Sequence, residues 1–244
     1  MANIPKAAIG LIGGSGTWAA RIPEDLNRPD ATVVRYFREG FETAFGRSIA
    51  FKLLEIDGAL ALRTPFHGWH LEDPEAPLAP WLWSKQVAWV FQQAGVEWAL
   101  VEGSVGGIQN PNRPGELLPP WSVTITSDFM MRWYPPACKP FHVEGAAFRR
   151  MGEPFCAALR ELLLEEAKKE PRFTVLDHAI YACTPPGRFE TDAEVEELLR
   201  SGCHVVGQSL AHEAPLMRQL GIHFASLNIV VNQAKCIGNP SLHS

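Results

Sequence analysis

Short apolar runs alternate along this chain with stretches whose apolar residues recur every three to four positions, and nothing else in it limits the fold as tightly. Residues 7–12 read as a buried strand, and 49–62 contain one or two more. The spacing predicts a helix over 81–94, with Trp81, Leu82, Val87, Ala88, Val90 and Phe91 on its apolar face and Gly95 as its end. Strands are expected at 98–101 and 123–126, followed by an amphipathic helix over 154–169 that carries Leu159, Leu162 and Leu163 on one side. Residues 173–181 are β-like. A helix over 192–201 is opened by Thr191 or Asp192 and stopped by Gly202. A short strand at 205–206, a helix at 213–220 and a last strand at 223–231 complete the series. Such alternation predicts an α/β fold with a mixed central sheet flanked by helices. With 244 residues, 46% of them hydrophobic, the chain can bury one full core, so residues 1–244 are expected to form a single domain. Segments 111–120 and 134–145 read as long surface loops, the second placed to reach a ligand or a neighbouring subunit.

The formal net charge of −5 comes without a basic run, which argues against nucleic acid as a partner. Five cysteines (Cys138, Cys156, Cys183, Cys203 and Cys236) show no CxxC spacing, so reduced thiols are expected rather than disulfides or a zinc site. The N-terminus lacks the pattern of a signal peptide, and no apolar run reaches membrane-spanning length. A cytoplasmic protein with no metal and no membrane partner is the expectation.

Several strand ends carry residues suited to ligand binding. Ile9–Ile12 runs into Gly13-Gly14-Ser15-Gly16, where backbone N–H groups can converge on an anion and Ser15 adds a hydroxyl. A plain tight turn would use the same residues, and no P-loop lysine follows. His67, between Phe66 and Gly68, stands where it can donate to an oxyanion. Val101-Glu102-Gly103-Ser104-Val105-Gly106-Gly107 is a second strand emptying into small residues, which serve close ligand approach or helix packing equally well. Ser209 is suited to contact phosphate or to cap the next helix, and Gln208 and Glu213 to address sugar hydroxyls. Phe189 offers a stacking face, Glu190 an acceptor for ring N–H groups, and Asn232 both a donor and an acceptor. Together these three suit a flat heterocycle.

Taken in chain order, these segments resemble the purine nucleoside phosphorylase and 5′-methylthioadenosine (methylthioinosine) phosphorylase family, from about residue 7 to residue 234. The resemblance implies a single-domain phosphorylase fold, usually a homotrimer or a hexamer built as a dimer of trimers. It implies cleavage of a purine N-glycosidic bond by inorganic phosphate, with phosphate as co-substrate and no further cofactor. Ser15, His67, Ser104 and Ser209 would hold phosphate; Phe189, Glu190 and Asn232 would bind the purine; Gln208 would lie under the sugar. Asn232 and His67 are the expected catalytic residues. The family's adenine-selective members tend to carry two aspartates where this chain has Asn232 and Ala234, which favours a 6-oxopurine.

The chain departs from the family pattern at three points. The arginine expected just before the strand-end histidine is replaced by Pro65 and Phe66, leaving Arg63 as the nearest guanidinium. Loss of a bidentate clamp would weaken phosphate binding. Gly-Pro before the phenylalanine has become Pro186-Gly187-Arg188. The helix expected to close the 5′ side of the sugar is largely missing before Ser244, which implies an open 5′ subsite. The absent arginine keeps two alternatives in view: a hydrolytic nucleosidase on the same fold, and a purine-binding homologue with impaired catalysis.

Overall fold

A computed structural model describes residues 3–68, 78–133 and 150–234. The loop expected at 134–145 lies outside these residues. In chain order the strands are β1 (Ile9–Ile12), β2 (Ala31–Phe37), β3 (Glu42–Thr43), β4 (Gly46–Arg47), β5 (Phe51–Ile56), β6 (Ala59–Thr64), β7 (Trp98–Gly107), β8 (Ser122–Met131), β9 (Thr174–Cys183), β10 (Val205–Gly207) and β11 (His223–Gln233). The helices are α1 (Pro80–Ala94), α2 (Ala157–Lys168), α3 (Asp192–Arg200) and α4 (Leu210–Leu220). Nine strands form one mixed sheet in the order β10-β9-β8-β11-β7-β1-β6-β5-β2, and helices flank it. The expected α/β class is the one observed.

One end of this sheet closes on itself. β10 pairs in parallel with β9 and antiparallel with β7, with Val206 opposite Gly106 and Val205 opposite Gly107. The strand-end glycines make that closure possible: a Cβ on Gly107 would lie 2.4 Å from the Leu118 carbonyl oxygen. The open end finishes at β2, which the apolar pattern does not reveal. β2 is an edge strand whose register shifts between Val33 and Arg35, so the alternation breaks and Val34 and Tyr36 remain exposed.

The core is continuous across the sheet, with Phe51, Phe66, Phe91, Phe224 and Met217 among its fully buried side chains. A satellite cluster of Ile108, Ala182, Val195, Leu198, Cys203 and Val206 seats α3. Thr191 caps α3 with a complete capping box to Glu194, and Gly95 ends α1 in a left-handed conformation, both as the local signals predict. Two helix starts differ from the local reading. α2 begins at Ala157 because the Cys156 N–H is held 2.7 Å from the Phe224 carbonyl, outside the helix. α4 begins at Leu210, directly after β10, and carries Pro215 internally. A proline by local preference belongs in a first turn, and tertiary packing overrides that preference here.

β1 runs parallel to β6 and to β7, and β7 runs parallel to β11. The segments that leave β1 and β6 therefore emerge beside the C-terminal half of β7, as ligand sites in α/β sheets commonly do. Among the described residues no helix is long and apolar enough to cross a membrane.

Candidate active site

The turn after β1 is held from both sides. Gly13 N–H continues the ladder to the Thr64 carbonyl at 2.9 Å. Gly14 N–H donates to Glu102 Oε1 at 2.8 Å, the Thr17 hydroxyl donates to the same oxygen, and Gly16 N–H donates to Ser104 Oγ at 2.9 Å. Ser15 stands exposed on the crest of this turn. Position 14 must be glycine, because a Cβ there would lie 2.8 Å from the Glu102 carbonyl oxygen. The turn that the sequence offers as an open anion cradle thus already holds a carboxylate on two of its donors. The signal that could find Glu102 in the sequence is a charged residue inside an apolar strand, which requires a partner.

His67 sits in a short 3-10 turn after β6, its side chain 8% exposed. Nε2 lies 2.5 Å from Glu213 Oε1, and Nδ1 lies 3.5 Å from Ser209 Oγ. Strand ends distant in sequence thereby place His67 and Ser209 together. Glu213 is fully buried with Oε2 unpartnered, so it faces the histidine rather than a sugar hydroxyl. Ser209 occupies the N-cap position of α4 but makes no side-chain cap bond, which leaves its hydroxyl for the site. His212, one residue before Glu213, is buried, and its pKa is pushed down to about 4 by burial first and His67 second.

The segment after β9 is braced by its own polar groups. The Thr184 hydroxyl donates to Glu190 Oε1, and Gln208 Nε2 donates to the Arg188 carbonyl at 2.7 Å. Gln208 therefore ties the end of β10 to the loop that carries Phe189. Phe189 is 80% exposed, an arrangement that leaves its ring face free for a ligand. Asn232 follows a bulge in β11 and donates from Nδ2 to the Gln233 carbonyl at 2.9 Å. Among the described residues no hydrogen bond links Asn232 to Glu190, so the two base candidates stand on separate strand ends.

Arg63, the guanidinium nearest to His67 in the sequence, lies buried at the end of β6. It is 5% exposed, Nη2 has no partner, and the guanidinium packs behind Gly13, where a Cβ would lie 2.9 Å from Nη2. With Trp18, Tyr36, Lys52 and Pro65 it lines a cavity of about 40 Å³. Burial pulls its pKa below the ordinary arginine value, and the nearby Glu102 carboxylate acts in the opposite direction. Among the described residues no group of three His, Cys, Asp or Glu side chains is arranged to hold a metal ion.

Residues 84–243 match the family model of the phosphorylase superfamily. The chain belongs to the phosphorylase superfamily. An S-methyl-5′-thioadenosine phosphorylase of Thermococcus kodakarensis is 28% identical over 92% of this chain and 78% of its own length. A probable 6-oxopurine nucleoside phosphorylase of the same organism is 29% identical over 93% and 79%. A probable S-methyl-5′-thioinosine phosphorylase of Thermodesulfovibrio yellowstonii is 25% identical over 96% and 80%. Among solved structures, the methylthioadenosine phosphorylase of Schistosoma mansoni bound to adenine superposes with a TM-score of 0.76 over 98% of this chain and 83% of its own, at 21% identity. The fold expected from the resemblance is therefore the fold present. This member of the superfamily is an enzyme of the nucleoside phosphorylase kind, a pentosyltransferase.

Proposed function

We propose that this enzyme cleaves the N-glycosidic bond of purine nucleosides or 5′-methylthionucleosides with inorganic phosphate, releasing free base and pentose 1-phosphate, and that it prefers 6-oxopurines. One observation carries the reading: His67, Ser209 and Glu213 converge after the ends of β6 and β10, while the neighbouring β1 turn, with Ser15 exposed on it, is tied to Ser104 Oγ through the Gly16 N–H. A hydroxyl-rich strand edge with a buried, carboxylate-backed imidazole suits an oxyanion. The relatives named for phosphorolysis of methylthioadenosine, methylthioinosine and 6-oxopurine nucleosides support the same chemistry.

In this reading the bond to the base lengthens first, leaving positive charge on the sugar and negative charge on the purine. Phosphate, held by Ser15, Ser104, Ser209 and His67, would lie against the sugar as counter-charge and nucleophile. With Nε2 engaged by Glu213, Nδ1 is the ring nitrogen left on the Ser209 side to meet the anion. Phe189 would stack on the purine, Glu190 would accept a ring N–H, and the Asn232 amide would donate to O6 or N7 as charge develops there. Asn232 and His67 would thus touch the reacting groups, and Gln208 would support the sugar. A homotrimer, or a hexamer built as a dimer of trimers, is part of the proposal, with a mass measurement by light scattering as its check.

A second reading, hydrolysis by water, is favoured by the Glu102 carboxylate on the β1 turn, where it opposes a second anion. Cleavage of inosine, guanosine, adenosine and both methylthio-nucleosides, assayed with and without phosphate, separates the two. Phosphate-dependent release of hypoxanthine or guanine is expected; a rate indifferent to phosphate would remove the phosphorolytic reading.

A further inference from the structure

We propose that Glu102 acts as a resident anion in the β1 turn and sets how tightly this enzyme takes inorganic phosphate, with Arg63 as the second seat for its carboxylate. The inference rests on the reading of residues 13–17 as a phosphate-holding turn.

Three observations converge on it. Glu102 Oε1 accepts from Gly14 N–H at 2.8 Å and from the Thr17 hydroxyl, so a single carboxylate oxygen takes two donors that an incoming oxyanion would use. The Arg63 guanidinium lies behind the adjacent Gly13, 95% buried by its 5% exposure, with Nη2 lacking a partner. A buried guanidinium in that state is costly, and the carboxylate whose field it feels most is Glu102. Glu102 and Arg63 thus flank the same turn, one over-committed to it and the other unsatisfied beside it. Lys52, the other cation lining the small cavity, already pairs with Glu24 at 2.8 Å.

The physical consequence is competition. Two anions on one set of N–H and O–H donors repel, so phosphate enters only when Glu102 leaves. Its carboxylate then needs a cation in a buried place, and the unpartnered Nη2 of Arg63 meets that need. In this scheme Arg63 serves phosphate binding indirectly, as a positioning residue, by accepting the displaced carboxylate. It replaces the missing clamp without touching the substrate.

Calorimetric titration of the enzyme with inorganic phosphate, in the absence of nucleoside, tests this directly. Glu102→Gln keeps the size and the acceptor oxygen while removing the charge, and it is expected to tighten phosphate binding at least about fivefold. Arg63→Met, a buried apolar replacement of similar length, is expected to weaken phosphate binding in the native background. In the Glu102→Gln background it is expected to have no such effect, since there is no charge to receive. The nucleoside KM should stay within about twofold in both single variants. An unchanged or weaker phosphate affinity in Glu102→Gln would overturn the proposal, as would equal losses from Arg63→Met in both backgrounds. Because the readout is phosphate binding, it stands apart from the phosphorolytic reading, which fails separately if native turnover ignores phosphate.

Discussion

Glu213 Oε1 lies 2.5 Å from His67 Nε2, joining the first turn of α4 to the turn after β6 across 146 positions of sequence. The carboxylate is fully buried, so water screens it little and its effect falls on the imidazole. It fixes the ring so that Nδ1 faces Ser209, the side from which an anion would be met. Glu213→Gln keeps a hydrogen-bond partner but removes the buried carboxylate that orients the ring. The expected result is a rise of about tenfold in the phosphate KM with the nucleoside KM nearly unchanged. Steady-state kinetics over both substrates provide the check, and an equal rise in both would count against an anion role for His67.

Asn232 stands beyond the bulge in β11 with its amide exposed and donating only to the neighbouring Gln233 carbonyl. Nothing rigid commits it to that bond, so it is available to a purine. An aspartate would accept from a 6-amino group where the asparagine donates to O6 or N7. Asn232→Asp should lower the ratio of inosine to adenosine cleavage by about tenfold or more. An unchanged ratio would remove Asn232 from base recognition.

Phe189 is 80% exposed, and a side chain so placed contributes little to folding. Its truncation should therefore separate binding from stability. Phe189→Ala is expected to raise the nucleoside KM about tenfold, in line with the loss of one base-stacking contact. The melting temperature should move by no more than about 2 °C. A large fall in melting temperature with native KM would show that the ring serves packing instead.

His212 carries a pH dependence of stability. Its folded-state pKa is pushed down to about 4, from an ordinary value of 6.5. Between those values the unfolded chain binds the proton and the folded one does not. Stability is therefore complete above about pH 6.5 and declines as the pH falls towards about 4, by about 3 kcal/mol at most. Urea denaturation at pH 7.5 and pH 5 measures this, and His212→Leu should flatten the difference between them. A variant as acid-sensitive as the native protein would assign the effect to other groups.

The elements most legible in the sequence were those whose periodicity and end signals agree. α1 has an apolar face and Gly95 behind it, and α3 has Thr191, Glu194 and Gly202 at its ends. β2 was not legible, because an edge strand with a bulge has no continuous buried face to advertise. The start of α4 lies one turn before the one its local pattern indicates, since Pro215 locally suits a first turn while the chain is already helical from Leu210. Ser15, His67, Ser104 and Ser209 could be picked out because small and polar residues at strand ends are a local pattern. The partners of Glu213 and Glu102 are not legible in the sequence, because His67 and the Gly14 N–H lie far from them along the chain.

The sequence by itself determined the α/β alternation, the helix caps, the strand ends that bear polar residues and the absence of an arginine beside His67. All of these depend on residues within a few positions of one another, where propensity, capping and turn chemistry act. Only the tertiary structure decided that Glu213 backs His67, that Glu102 takes the Gly14 N–H, and that Arg63 lies unpartnered behind Gly13. Those outcomes depend on which strands lie side by side and on the cost of burying a charge, and neither is written in any local stretch of the chain.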